Sequence, residues 1–218
     1  MKKLILMVVF LAIFITHIGN EPNSYRDCHD WEFDRFLAAY VNVRKWEGNY
    51  SNLKDDKGGE TYGGISRTYN GDWRGWELVD DLKNDTTIHW NHYIPDVEKL
   101  VIDYYFTKWV EEGFYKINDP FIANYVFDYN NTGVVAMRHV QQVLRHHNYD
   151  VDMTLRLDDK TIRALNTINP LIFVLHLKEV RKEYYERVAD RNPELEKFLK
   201  GWIKRANNIN IDRLVEIS

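Results

Sequence analysis

Two carboxylates nine residues apart, Glu47 and Asp56, are the groups in this sequence best suited to do chemistry together. Phe33, Phe36, Leu37, Tyr40 and Val43 recur at three- and four-residue steps, which predicts a helix over 31–47 with Glu47 at its end and on its apolar stripe. Gly48 is the expected stop. Burial and the partial negative charge of a helix C-terminus both disfavour a carboxylate, so this position predicts an acid that keeps its proton. Asp56 falls in a polar, glycine-rich loop beside Lys57, where it should ionise. Thr61, just behind the glycines, is placed to orient a water. An acid and an ionised partner in unlike surroundings are what glycoside cleavage requires: a proton for the leaving oxygen, and negative charge or an activated water opposite an oxocarbenium-like transition state. Spacing alone leaves a plainer alternative open, a solvated helix end followed by an ordinary Asp-Asp-Lys-Gly-Gly turn.

The elements that must hold these residues are mostly helical. Pro95 to Gly113 reads as a helix opened by proline and closed by glycine. A second runs from Asp119-Pro120 through Phe127, is interrupted at Asn130-Asn131-Thr132-Gly133, and a third follows over Val134 to His147. Leu157 to Ile168 is a short helix with Asp158 as its expected N-cap. Pro170 opens a long helix to about Ala189, and Pro193 opens the last, to about Asn207. Strand signals are confined to the loop of residues 51–64, and the Trp-rich stretch 72–91 is ambiguous. The predicted class is mainly α, with a small β or loop element after the Glu47 helix. The weakest seam lies near Asn118-Asp119-Pro120.

Composition removes several functions. Lys and Arg number 29 against 33 Asp and Glu, a net charge of −4, so no basic surplus is available to neutralise phosphates and no nucleic-acid partner is expected. The one cysteine, Cys28, can form neither an intramolecular disulfide nor a thiolate metal site, and it sits beside His29, a poor arrangement for a thiol nucleophile. Met1-Lys2-Lys3 precedes the apolar run Leu4–Ile15, the layout of a secretory leader, too short for an ordinary spanning helix. Residues 1–19 are therefore expected to be a signal peptide or a short anchor giving transient membrane association, and 20–30 a spacer. Sequons at Asn49, Asn84 and Asn130 matter only in a eukaryotic secretory route, and the first lies within the Glu47 segment, which argues against that route.

The segments Glu47-Gly48-Asn49-Tyr50, Asp56-Lys57-Gly58-Gly59-Glu60-Thr61 and Tyr62-Gly63-Gly64-Ile65-Ser66 stand in one register that resembles the glycoside hydrolase family 108 muramidases. Val126-Phe127-Asp128 with Asn131-Thr132-Gly133 resembles that family's central helix and turn. Gln141 to Leu144, Leu157 to Leu165, and Gly201-Trp202 with Arg205 resemble its C-terminal helical peptidoglycan-binding region. The resemblance implies a lysozyme-like fold with a catalytic region over 31–118, a peptidoglycan-binding region over 119–207 packed on it, and a tail over 208–218. It implies Glu47 as the catalytic glutamate, with Asp56 and Thr61 as partners, and Tyr50, Tyr62, Asp128 and Asn131 as substrate-binding residues. No cofactor and no metal are implied. The implied partner is the peptidoglycan glycan strand, met by an exported monomer in the periplasm, the cell wall or outside the cell. Asn49, Lys57, Tyr62 and Gly63 depart from the family pattern. So do the missing glycines before Asp158, which bear on wall binding more than on catalysis.

Other constellations are weaker. His89 and His92, with Glu98 nearby, lack His-Glu-x-x-His and a third ligand at fixed spacing, so surface or core histidines are the default. Ser66 has no nucleophile elbow around it. Tyr50, Tyr62, Tyr69, Trp73 and Trp76 could stack on sugar rings, although the two tryptophans suit a core equally well. Two further readings stay open at this level: a non-catalytic wall-binding or secretion-associated protein, and a lytic transglycosylase.

Overall fold

The computed structural model describes residues 30–52, 58–133 and 135–208. The expected leader and nearly all of the spacer, together with Asp55, Asp56, Lys57 and the tail after residue 208, lie outside the described residues. From Asp34 on, the described residues belong to one compact unit. Its elements are α1 (Asp30–Arg44), β1 (Tyr50–Ser51), β2 (Thr61–Tyr62), β3 (Ile65–Ser66), α2 (Gly75–Leu82), α3 (Pro95–Glu111), α4 (Pro120–Asn130), α5 (Ala136–His146), α6 (Asp159–Leu165), α7 (Pro170–Arg191) and α8 (Glu196–Ala206). Short 3₁₀ turns at Phe114–Lys116 and Pro193–Leu195 precede α4 and α8. The class is mainly α, as expected, with one small antiparallel sheet.

The helix starts follow from local chemistry. Proline opens α3, α4 and α7, where its missing N–H removes a donor that has no intrahelical partner anyway. Asp119, Asp158 and Asn169 cap α4, α6 and α7 by accepting from the backbone N–H of Ile122, Thr161 and Ile172 at 2.9, 2.8 and 3.0 Å. Gly113, at φ +82°, turns the chain out of α3.

Most of the large aromatic side chains of α1, α3 and α4 lie in the core. Phe36 of α1, Phe106 and Trp109 of α3, Phe114, and Phe127 of α4 meet edge to face, with Phe36–Phe106, Trp109–Phe127 and Phe114–Phe127 centroids 5.0, 5.1 and 5.0 Å apart. Tyr40 and Tyr105 continue this cluster toward the sheet. Trp73 and Trp76 are core anchors, whereas Tyr69 is exposed. Helices α5 and α7 pack beside α4, and α8 packs on α7, to form the C-terminal half of the same unit.

One predicted boundary is wrong in an informative way. Helix α1 stops at Arg44, and Glu47 lies in the turn beyond it. The Arg44 side chain is fully buried and makes a bidentate pair with Glu98 of α3, Nε–Oε1 2.9 Å and Nη2–Oε2 3.0 Å. Tyr40 also donates to Glu98. The remaining Arg44 donors reach the carbonyls of Glu47 (2.9 Å) and Gly48 (3.3 Å) and the Asn49 Oδ1 (2.8 Å). These bonds curl the chain around the guanidinium, so the apolar stripe does not extend to Glu47.

Buried His139 gives the fold a pH dependence. Its Nδ1 lies 2.6 Å from the Tyr129 hydroxyl, and burial, reinforced by Arg187 and Arg138, pushes its imidazole below the usual 6.5. The folded state therefore takes up that proton less readily than the unfolded chain. The stabilisation is complete above about pH 6.5 and is lost as pH falls through the folded-state value. The thermal midpoint should fall on going from neutral pH to about pH 5, and His139→Gln should flatten part of that slope while lowering the midpoint at neutral pH. Midpoints measured across this range check it; parallel slopes for the two proteins would refute it.

Candidate active site

Glu47 projects from a turn fixed at two ends. Arg44 holds the carbonyls of residues 47 and 48 from below, and the Gly63 N–H donates to the Asn49 carbonyl at 2.8 Å, tying the turn to the hairpin. Its side chain is 19% exposed, so a ligand can reach it. The expected apolar, helix-end surroundings are not found. Instead the carboxylate is paired with a cation from the far end of the chain: Arg205 Nη1 donates to Glu47 Oε1 at 2.8 Å.

Arg205 lies in the last turn of α8, and its Nε also donates to Asp128 Oδ1 at 3.0 Å. The other Asp128 oxygen accepts from Arg181 Nη1 of α7 at 2.9 Å. Arg181 is fully buried, faces Tyr129 at 4.5 Å and donates from Nε to the Tyr185 hydroxyl at 3.0 Å. The result is a chain of alternating charge, Arg181–Asp128–Arg205–Glu47, drawn from α7, α4, α8 and the turn after α1. Burial works against the charge on each arginine, but the carboxylates beside them outweigh it and hold both firmly protonated.

The other wall of the site is the hairpin. Strands β1, β2 and β3 pair antiparallel in that order, with Tyr50 opposite Tyr62, Ser51 opposite Thr61, and Tyr62 opposite Ile65. Gly63 and Gly64 form the two-residue β2–β3 turn with φ +57° and +82°, the left-handed pair that a tight hairpin requires. Gly64 is needed for a second reason. A Cβ there would lie 2.7 Å from Glu47 Oε2 and 2.6 Å from the Tyr105 hydroxyl. Tyr105 donates to the Gly63 carbonyl at 2.9 Å; burial and then the Glu47 charge hold its own proton on tightly.

The residues singled out by sequence are distributed unevenly. Thr61 and Tyr50 stand on the small sheet, half-buried, and Tyr50 packs on Trp90 with centroids 4.4 Å apart. Tyr62 is fully buried, with its hydroxyl accepting from the Ile94 N–H at 3.2 Å, so its part is in packing. Asp128 reaches the Glu47 neighbourhood through Arg205, but it is buried between two arginines. Asn131 ends α4, where its Nδ2 donates to the Phe127 carbonyl at 2.8 Å and its Oδ1 accepts from Lys108 at 3.0 Å. Glu98, weighed as a ligand beside His89 and His92, is committed to Arg44 and Tyr40. Asp56 lies outside the described residues. Arg44, Tyr105 and Arg205 are the site residues that sequence reasoning missed. The signal for Arg205 was its place in the closing Gly201-Trp202-x-x-Arg205 segment.

Residues 40–133 match the Glycosyl hydrolase 108 family and residues 135–207 the Predicted Peptidoglycan domain. The two matches meet where α4 gives way to α5; the seam expected at 118–119 falls inside the first. Among curated proteins none matches the chain. A solved structure, that of Brucella abortus SagA, matches over 84% of this chain and 95% of its own, with a TM-score of 0.57 and 18% identity, a likeness of fold. The Glu47 turn and the hairpin thus lie in the segment similar to the Glycosyl hydrolase 108 family, and α5 to α8 lie in the segment similar to the Predicted Peptidoglycan domain.

Proposed function

We propose that this protein is an N-acetylmuramidase that cleaves the β-1,4 bond between N-acetylmuramic acid and N-acetylglucosamine, with Glu47 as general acid. The single observation that supports it most is the position of Glu47: a reachable carboxylate on a turn braced by Arg44, facing the glycine hairpin, in a glycosyl hydrolase region joined to a peptidoglycan domain. Arg205 occupies Oε1, so Oε2, on the Gly64 side, is the oxygen that carries the proton. In the reaction that proton passes to the glycosidic oxygen, the C1–O bond electrons leave with that oxygen, and the sugar develops oxocarbenium character. Asp56 balances that charge or positions the water that attacks C1, Thr61 helps to orient the water, and the water's proton is returned to a carboxylate. Tyr50, paired with Trp90, offers an aromatic face to a sugar ring. The wall-facing reaction fits an exported protein, and among the described residues no helix is long and apolar enough to cross a membrane.

Wild type and Glu47→Gln, incubated with purified peptidoglycan, should differ by about 10²–10⁴-fold in released muropeptides, which carry reducing N-acetylmuramic acid ends by mass spectrometry. Anhydro ends would replace hydrolysis by lytic transglycosylation, and equal release by both proteins would exclude Glu47 as the acid. Gly64→Ala should lower the rate by about 10- to 100-fold by displacing the Glu47 carboxylate. It should also destabilise the fold by about 1–2 kcal/mol through the left-handed backbone. Wild-type turnover in this variant, measured beside its unfolding curve, would show that the close approach of Gly64 to Glu47 is dispensable.

A further inference from the structure

The last helix of the peptidoglycan domain does more than pack. Its Arg205 spans two carboxylates from different parts of the chain, Glu47 in the glycosyl hydrolase region and Asp128 in α4. It is itself largely buried, with a side chain 13% exposed. A guanidinium that needed only to anchor α8 would be satisfied by Asp128, already within reach of its Nε and Nη2 at 3.0 Å. Extending Nη1 to the functional carboxylate fixes which Glu47 oxygen faces outward and puts positive charge on the group that must release a proton.

We propose that Arg205 is a positioning residue for Glu47, so that α8 completes the catalytic centre, and that Asp128 sets how strongly Arg205 acts. The proposal rests on Glu47 as the acid. The mechanism is electrostatic. As the proton moves from Glu47 to the glycosidic oxygen, Glu47 becomes an anion, and Arg205 at 2.8 Å stabilises it. An arginine beside a carboxylate favours its anion, so the Arg205 charge needs a counterweight. Asp128 draws part of that charge away, and Arg181 balances Asp128 in turn. Among the described residues, the other titratable and charged groups around Glu47, Arg205 and Asp128 include Tyr105 of α3, Tyr125 of α4, which faces Asp128 and Arg181, Lys45 of the turn and Arg44. Tyr105 faces the Glu47 charge, Lys45 lies in the field of Asp128 and Arg205, and Arg44 binds the carbonyl of residue 47 and is neutralised by Glu98.

The signs can be separated by experiment. Activity requires protonated Glu47 and falls on the alkaline side as that proton is lost. Removing the Arg205 charge should move this alkaline limb to higher pH, by about one unit or more, while kcat drops at the optimum and KM changes little. Asp128→Asn leaves Arg205 uncompensated and should move the same limb to lower pH. Arg205→Lys, which keeps the charge, should hold the limb near its wild-type position and recover part of the kcat lost in Arg205→Gln.

The measurement is the pH profile of kcat and of kcat/KM for the full chain on solubilised, uncrosslinked glycan strands. Wild type, Arg205→Gln, Arg205→Lys and Asp128→Asn are compared, each checked for a cooperative melt. Opposite shifts for Arg205→Gln and Asp128→Asn support the proposal. Unchanged profiles in folded variants, or shifts in the same direction, overturn it and leave Arg205 as a packing residue. If Arg205→Gln does not fold, Asp128→Asn, with Arg205 in place, decides by itself: a downward shift supports the proposal, and no shift or an upward one rejects it. A wild type that releases no products refutes the muramidase reading instead, which is a separate result.

Discussion

A run of alternating charges, Arg181–Asp128–Arg205–Glu47, joins the two halves of this molecule, and the site depends on it. Each ion has been drawn largely out of water, which costs several kcal/mol per ion before pairing offsets it. The alternation makes that cost tolerable, because every charge has an opposite neighbour within about 3 Å. It also makes the arrangement intolerant. Removing one member strands a buried ion, an effect of roughly 3–5 kcal/mol in comparable interiors. Such a chain contributes little net stability, but it specifies position. It can form only when α4, α7, α8 and the Glu47 turn are all in their native places.

A second, separate pair does the same for the backbone. Arg44 and Glu98 are locked together between α1 and α3, and the two terminal nitrogens of Arg44 make three further bonds that define where the chain goes after the helix. The aromatic cluster around Phe36, Trp109 and Phe127 supplies the bulk of the burial and fixes the distance between α1, α3 and α4. The Gly63-Gly64 turn then lets the hairpin approach the carboxylate more closely than any side chain would allow. These devices meet at Glu47: a braced turn, a close glycine backbone and the Arg205 cation of α8.

Much of this was legible in the sequence because it is governed by local chemistry. The helix starts at Pro95, Pro120 and Pro170, the Asp158 cap and the glycine-rich hairpin all rest on effects within a few residues of themselves. The end of α1 was not legible, because it is set by Arg44 meeting Glu98, a contact 54 residues away. Tyr62 looked like a sugar platform because aromatic residues in a loop read alike whether they face in or out; its burial is decided by Trp73 and by the Ile94 N–H. Arg205 stands in view as part of a recognisable closing segment, yet the carboxylate it meets, Glu47, is 158 residues away, beyond any spacing rule. Asp128 was singled out for a sugar contact, and the structure gives it two arginines.

The most direct test of the account is a crystal structure of Glu47→Gln with a bound peptidoglycan glycan fragment. The bridging glycosidic oxygen should lie within hydrogen-bond reach of the residue 47 side chain, on the Gly64 side, with Arg205 still spanning that side chain and Asp128. A glycan seated elsewhere, or an Arg205 turned away from residue 47 in the complex, would contradict it.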